Sequence, residues 1–171
     1  MRTLSKSKLL AFRQCPKRLW LEIHAPQLRE DSGATLASYA TGHQVGDIAR
    51  QIYDPAQHGQ LIDPQVEGFD EAFARTQTLL RARQPIFEAG FRADGALAFA
   101  AVLLPAGRQW RMVEVKSSTS VKDYHRDDAA VQAFVARACG VPLQSIALAH
   151  IDSGWTYPGN GDYQGLLVEA D

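Results

Sequence analysis

The chain has 171 residues, with 18 Lys plus Arg against 19 Asp plus Glu, a net charge of −1 and 46% hydrophobic residues. This length fits one domain, and the composition excludes a wholly disordered chain. No apolar run approaches the roughly 20 residues that span a bilayer, and basic residues interrupt the N-terminus where a signal peptide would be apolar. The two cysteines form no disulfide framework, so we expect a cytoplasmic protein without a membrane partner.

The first 21 residues are basic and contain no acid. Ser5 fits the N-cap of a helix, and Pro16 fits the first turn of a second one. One interpretation is a basic helix that contacts phosphates, which a chain of net charge −1 would need as a local patch. The other is a solvated helix face, which charge alone favours. The basic residues are Arg2, Lys6, Lys8, Arg13, Lys17 and Arg18.

Hydrophobic spacing predicts the remaining elements in chain order. Helices are expected over 34–53 and 65–83, with a loop over 54–65 that contains Pro and Gly. Strands are expected at 86–91, 96–104 and 109–117, the second buried on both faces because it is continuously apolar. A helix over 127–139, ended by Gly140, and strands at 145–151 and 163–169 complete the chain. The pattern predicts one α/β domain with a mixed central sheet flanked by helices, residues 1–83 being mainly helical and 84–171 forming the sheet and its helix.

Glu114 and Lys116 form the one chemically suggestive pair. Residues i and i+2 of a strand share a face, so a carboxylate would lie beside an ammonium group. A carboxylate can bind a divalent cation, and a neighbouring lysine can orient water or hold a phosphate. An isolated pair of this kind is more often a simple ion pair at a strand end.

Five segments lie in order between positions 12 and 134, at 12–20, 42–46, 86–91, 113–118 and 128–134. They read FRQCPKRLW, GHQVG, IFEAGF, VEVKSS and DAAVQAF. Together they resemble the PD-(D/E)XK nuclease superfamily, in particular its RecB-like and CRISPR-associated exonuclease branch. The resemblance implies a restriction-endonuclease-like core and hydrolysis of phosphodiester bonds with Mg²⁺ or Mn²⁺, in DNA more than in RNA.

The resemblance also implies roles for individual residues of the sheet and its helix. Glu114 and the carbonyl of Val115 would be metal ligands, and Lys116 would position water and contact the phosphate. Glu88 would hold a second metal or a metal-bound water, or it is an ordinary strand acid. Gln132 would face the site from the helix, or it is a polar residue at the helix edge.

Three residues are predicted to lie in the loop between the catalytic strand and that helix. Lys122, Tyr124 and His125 could hold the nucleic-acid backbone, with Tyr124 stacking on a base. The alternative is a solvated loop.

Position 101 departs from the family pattern. The family places a metal-binding Asp on the strand before Glu-x-Lys, where this chain has Ala101. Asp94 precedes Gly95 in an expected turn and is a poor substitute. Ala101 is either the natural residue of an inactive copy or a replacement for Asp, and the intact neighbouring motifs favour replacement. We expect weakened metal binding and little hydrolysis.

Two further departures concern metal ligands. Relatives hold an iron–sulfur cluster with one N-terminal and three C-terminal cysteines; Cys15 matches the first, but no Cys follows Cys139. No cluster is therefore expected within this chain, and Cys15 is predicted to be a small buried hydrophobe. Many members carry a metal-binding His on the early helix, where this chain has Gly46, and His43 lies one turn away.

Two function classes follow. The first is a metal-dependent nuclease domain that is inactive because of Ala101. The second is a non-catalytic module that binds nucleic acid with a degenerate nuclease fold. Further domains of a longer protein are possible partners of either.

Overall fold

The computed structural model describes residues 3–170 and contains a mixed sheet with helices packed against it. The strands are β1 (Leu4–Ser5), β2 (Gln60–Leu61), β3 (Ile86–Ala93), β4 (Ala96–Ala106), β5 (Gln109–Lys116), β6 (Leu143–Ile151) and β7 (Leu167–Ala170). The helices are α1 (Lys6–Gln14), α2 (Pro16–His24), α3 (Gly33–Tyr53), α4 (Pro64–Glu67), α5 (Phe69–Ala82) and α6 (Asp123–Ala138), with a 3₁₀ turn at Pro26–Leu28. The predicted α/β class with a mixed sheet is confirmed. Over residues 3–170, no helix has the length and apolar character that a membrane crossing requires.

The sheet has the order β2-β3-β4-β5-β6-β7, and β1 pairs with β4 outside this path. β3, β4 and β5 form the predicted antiparallel meander, and β5 pairs parallel with β6. The β4–β5 ladder begins at the pair Val102–Val113, whereas the start of β4 pairs with β1 through Leu4 and Ala96. The sheet therefore forks beside Glu114, the next residue of β5.

Alternating residues of the central strands form two cores. Leu103 and Met112 pack with residues of α5 and α6, and Val102 and Val113 pack on the other side with Tyr53 of α3. These residues are at most 1% exposed, apart from the half-buried Tyr53. The two apolar layers fix the central strands, and with them the side chains at the fork.

Several local signals act as the sequence predicts. The Ser5 hydroxyl accepts a hydrogen bond from the amide of Lys8 at 3.3 Å and caps α1, and Pro16 begins α2. Asp94 and Gly95 both have positive φ, 52° and 75°, and form the two-residue turn between β3 and β4. Gly140, with φ of 81°, follows the end of α6.

Some predicted boundaries are wrong. The helix expected over 65–83 is divided at Gly68, whose φ of 83° breaks the α-helical path between α4 and α5. The last strand is Leu167–Ala170 rather than 163–169, because the aromatic residues before it belong to a turn-rich loop. β4 is only partly buried, because residues 98–101, between its pairs with β1 and its pairs with β5, have no strand partner on that side.

Helix α6 begins at Asp123, four residues before its predicted start. The amide of Lys122 donates a hydrogen bond to Nδ1 of His125 at 3.2 Å, which helps to close the first turn. Tyr124 and His125 are therefore helical, and the prediction that they lie in a loop is wrong. The apolar periodicity used to place the helix starts only after this polar first turn.

Cys15 is exposed at the junction of α1 and α2, so the prediction of a buried hydrophobe is also wrong. It has extended backbone, with φ of −164°, between two helices that meet at Pro16. The side chain at this corner points away from the two cores because neither helix buries it.

Candidate active site

Two carboxylates and two ammonium groups meet where β5 ends and α6 begins. Lys116 Nζ lies 2.6 Å from Glu114 Oε1 and also contacts Asp128 Oδ2. Lys6 Nζ lies 3.4 Å from the same Glu114 oxygen and 3.1 Å from Asp128 Oδ1. We call Lys6, Glu114, Lys116 and Asp128 the four-charge cluster. The cluster carries two negative and two positive charges and is neutral as a unit.

The cluster is largely withdrawn from solvent, with 5% of the Glu114 side chain and 4% of the Asp128 side chain exposed. Burial alone would raise the pKa of Glu114, but the ammonium groups of Lys6 and Lys116 outweigh it and lower that pKa. Burial and the charge of Glu114 raise the pKa of Asp128, against the two lysines. Glu114 is therefore the stronger acid of the two and stays ionised to lower pH than Asp128.

The same physics applies to the two lysines. Burial alone would lower the pKa of each ammonium group, but the charges of Glu114 and Asp128 outweigh burial and raise the pKa values of Lys6 and Lys116. Both lysines are thus cationic at neutral pH, and the ion pairs are complete.

Glu88 and Ala101 lie beside this cluster in the sheet. In the β3–β4 pairing, position 101 falls between the pairs Phe87–Val102 and Ala89–Ala100, across from Glu88. On its other side it lies one residue beyond Val102–Val113, the last pair of the β4–β5 ladder, and its methyl group belongs to the same apolar cluster as Val113 and Val115. Position 101, where the family pattern expects an Asp, is therefore across from Glu88 and next to the point where the ladder opens before Glu114.

Glu88 has an unusual backbone for a strand residue. Its φ is 56°, in the left-handed region that a non-glycine residue seldom adopts, and it interrupts the β3–β4 ladder. Its side chain keeps contact with solvent, yet loss of much of its hydration and the charge of Glu114 raise its pKa. Such strain in a strand beside a charged cluster is typical of a functional position.

A cleft of about 940 Å³ opens over Glu88. It lies between α3, the start of α1 and the β3–β4 hairpin, and its size fits the range of small-ligand and cofactor pockets. Its lining residues with acidic or basic side chains are Lys6, Lys8, His43, Asp47, Arg50, Asp63, Glu88 and Arg92. A smaller cavity next to it is lined by Gly46, Arg50, Glu88, Ala101 and Val115, among others. The cleft joins Glu88 to Lys6 and so to the four-charge cluster.

Gln132 lies one helical turn after Asp128 on the same face of α6. It is fully buried, and neither amide atom has a hydrogen-bond partner among the residues that the structure describes. Glu114 Oε2 is likewise buried with nothing bonded to it within that part of the chain. The candidate site thus holds buried polar atoms without partners among the described residues.

The predicted basic patch is divided by the structure. Lys6 belongs to the four-charge cluster, whereas Arg13, Lys17 and Arg18 are exposed. Arg13 Nη1 lies 2.7 Å from Asp127 Oδ1, and Arg18 Nε lies 2.8 Å from Glu22 Oε1. Arg2 lies outside the described residues. Part of the positive charge of this surface is therefore balanced locally.

The three residues proposed to contact nucleic acid at the start of α6 have different environments. Tyr124 is 54% exposed, and the ammonium group of Lys122 lies 5.8 Å from the centroid of its ring. His125 is only 4% exposed, and burial together with the charges of Lys116 and Lys122 lowers its pKa. Lys122 and Tyr124 remain accessible to a nucleic acid, and His125 instead supports the helix terminus.

A divalent cation does not fit the donors as they stand. The charges of Glu114 and Asp128 are already matched by Lys6 and Lys116, and Ala101 supplies no side-chain oxygen. Within residues 3–170, no group of three or more His, Cys, Asp and Glu side chains is placed to hold a metal ion. Among the described residues, the buried carboxylate oxygens of the cluster without a hydrogen bond are Glu114 Oε2 and Asp128 Oδ1, fewer than the six ligands that Mg²⁺ or Mn²⁺ takes.

Sequence analysis missed two contributors to the site. Asp128 begins the segment DAAVQAF, in which the family resemblance implies a role for Gln132 alone. Its position four residues before Gln132 nevertheless places both side chains on one helix face. Arg50 lines both cavities from α3, seven residues after His43 and so about two turns along the same helix. The spacing of Asp128 and Gln132 could have identified Asp128 from the sequence.

Comparisons with known proteins give little further information. No family model matches the chain, and no curated protein matches it. A solved structure, described as the crystal structure of SSO0001, is similar with a TM-score of 0.41 and 14% identity. The similarity covers 99% of this chain and 66% of that protein, so this chain spans less than two thirds of its length.

Proposed function

We propose that the chain is a nuclease domain of the PD-(D/E)XK type, with a restriction-endonuclease-like core, whose hydrolysis of phosphodiester bonds is disabled at position 101. The observation that carries the proposal is the placement of Ala101 across from Glu88 and one residue beyond the ladder that leads to Glu114, with Lys116 2.6 Å from Glu114. The position that the motif gives to an Asp is thus in the same part of the sheet as Glu88, Glu114 and Lys116.

The residues present can bind a strand without cleaving it. Lys8, Arg50 and Arg92 line the cleft and can contact phosphates. Lys116 can hold a phosphate oxygen once it is released from its acids. Gln132 can orient that lysine or the phosphate through its unbonded amide. Because the four-charge cluster is neutral, it offers no excess negative charge to a cation in this form.

The test is the substitution Ala101→Asp. A carboxylate at position 101, across from Glu88, would add one negative charge to the site, which favours binding of Mg²⁺ or Mn²⁺. We expect the variant to degrade DNA with either metal, to stop with EDTA, and to act less on RNA. Single-stranded and double-stranded substrates are digested in parallel and resolved on gels.

Ala101→Asn is the matched control because it has the same size as Asp without the charge, and it is expected to stay inactive. The double variant Ala101→Asp/Lys116→Met is expected to lose the restored activity. A folded Ala101→Asp protein that leaves every substrate intact with both metals would contradict the proposal.

A binding module without catalysis is the second candidate, and the neutrality of the four-charge cluster favours it. It predicts that the protein binds nucleic acid and that Ala101→Asp does not add hydrolysis. The same digestion experiment therefore separates the two candidates.

A further inference from the structure

The ammonium group of Lys6 occupies a bridging position between two buried acids. Its Nζ lies 3.4 Å from Glu114 Oε1 and 3.1 Å from Asp128 Oδ1. Lys116 bridges the same two side chains, from Glu114 Oε1 to Asp128 Oδ2. Since Lys116 alone leaves one negative charge uncompensated, Lys6 is the group that makes the cluster neutral.

The backbone places Lys6 there with little freedom. β1 pairs with the start of β4, and the amide of Leu4 donates to the carbonyl of Gly95 at 2.8 Å. Ser5 then caps α1, so Lys6 is the first residue of that helix. Arg13 at the other end of α1 is bound to Asp127 of α6. The lysine therefore approaches the acids from an element that is fixed at both ends.

Burial makes this contact more than a surface ion pair. One quarter of the Lys6 side chain is exposed, and its two partners are exposed by 5% and 4%. A buried carboxylate without a cation is strongly unfavourable, so the pair of acids needs a second positive charge from some source. In a chain with a carboxylate at position 101, that source could be a divalent cation; here it is a side chain.

We propose that Lys6 serves as the built-in cation of this site, and that it excludes a divalent metal from Glu114 and Asp128 by holding the position between them. The proposal accepts the site identified above but requires neither catalysis nor nucleic acid.

The test is Mn²⁺ binding by titration calorimetry, in the absence of nucleic acid, on the chain with Ala101. The protein itself is expected to bind no Mn²⁺ at this site. Lys6→Met leaves two acids against Lys116 alone, so we expect Mn²⁺ binding, which the unsubstituted protein lacks, to become measurable. Lys6→Met/Glu114→Gln is expected to return to the original level.

Lys8→Met is the matched control, since Lys8 lines the cleft two residues away on α1 and contacts neither acid of the cluster in the described structure. Equal Mn²⁺ affinity of Lys6→Met and the unsubstituted protein would overturn the proposal. Tight binding by the unsubstituted protein that Glu114→Gln abolishes would overturn it as well. Neither result depends on whether Ala101→Asp restores cleavage, so this inference and the nuclease proposal fail separately.

A second measurement covers the case in which Lys6→Met does not fold. Brief acylation of the folded protein, mapped by mass spectrometry, reports how accessible each ammonium group is. We expect Lys6 to react several times more slowly than the exposed Lys17, with or without Mn²⁺. Labelling of Lys6 as fast as Lys17 would contradict its place between the acids.

Discussion

Buried polar groups mark the candidate site at the scale of single residues. Gln132 is fully buried with both amide atoms unbonded, and Glu114 Oε2 is in the same state, as far as the described residues show. A fold gains nothing from such groups, because burying a polar atom without a partner costs about 1–3 kcal/mol. Their presence together distinguishes this part of the fold from the apolar cores.

Replacement of Gln132 by Leu should therefore stabilise the protein. We expect the free energy of unfolding to rise by about 1–3 kcal/mol, because an unbonded amide is exchanged for an apolar group of similar size. Urea denaturation measures the change. Gln144→Leu, at an exposed position of β6, is the control and should change stability by less than about 0.5 kcal/mol. A loss of stability in Gln132→Leu would show that the amide is satisfied.

The lowered pKa of Glu114 predicts a dependence of stability on acid pH. Its folded pKa lies below the ordinary value of 4.5, so it stabilises the folded state above pH 4.5, and this contribution is lost as the pH falls through the folded pKa. In Glu114→Gln the free energy of unfolding should therefore fall less steeply below pH 4.5. Denaturant titrations at several acid pH values measure the slope, with Glu30→Gln, at an exposed position, as the control. Equal slopes in all three proteins would contradict the assignment.

At the scale of elements, close packing of α5 on β3 fixes the strand that carries Glu88. Gly90 lies two residues after Glu88, and a Cβ there would be 2.7 Å from Phe99 Cε1 and 3.0 Å from Phe73 Cδ1. The amide of Gly90 donates to the Thr76 hydroxyl at 3.0 Å. The helix and the strand can approach this closely only without a side chain at position 90.

Gly90→Ala should destabilise the protein by about 1–3 kcal/mol, since the added methyl group forces two aromatic rings to move. Gly42→Ala provides a control of opposite sign. A Cβ at Gly42 meets nothing within 4 Å, and Ala in a helix interior is favoured over Gly by about 1 kcal/mol. Thermal denaturation of both variants checks the pair of predictions. Equal melting temperatures would show that α5 is not packed against β3 in this way.

Local signals explain which elements the sequence could predict. The β3–β4 turn carries Asp94 and Gly95 at the positions that need positive φ, and alternation along β5 places Glu114 and Lys116 on one face. The contact of Lys6 with Glu114 joins residues 108 apart and depends on β1, a strand of two residues that has no periodicity to detect. The sequence therefore predicts Glu114 and Lys116 as site residues, but it does not predict that Lys6 balances the charge of the site.

At the scale of the whole molecule, the positive charge on the N-terminal helices decides how a nucleic acid could bind. The net charge of −1 gives no general attraction, so binding requires a local surface. The exposed members of the basic segment are Arg13, Lys17 and Arg18. Lys6 is instead paired with the acids of the four-charge cluster. The surface that can contact phosphates is therefore smaller than the sequence indicates.

Neutralisation of this surface should weaken binding and its dependence on salt. The logarithm of affinity falls with the logarithm of salt concentration by about 0.7–0.9 for each phosphate contact. The triple variant Arg13→Gln/Lys17→Gln/Arg18→Gln should reduce that slope by about 1–3. The reduction is at the lower end of this range if the ion pairs of Arg13 with Asp127 and of Arg18 with Glu22 persist in the complex. Fluorescence anisotropy with a labelled DNA at several salt concentrations measures the slope.

A control that changes Arg81, Arg108 and Arg137, which are exposed elsewhere, separates a local surface from a general loss of charge. If the control and the triple variant lose the same slope, the N-terminal helices are not the binding surface.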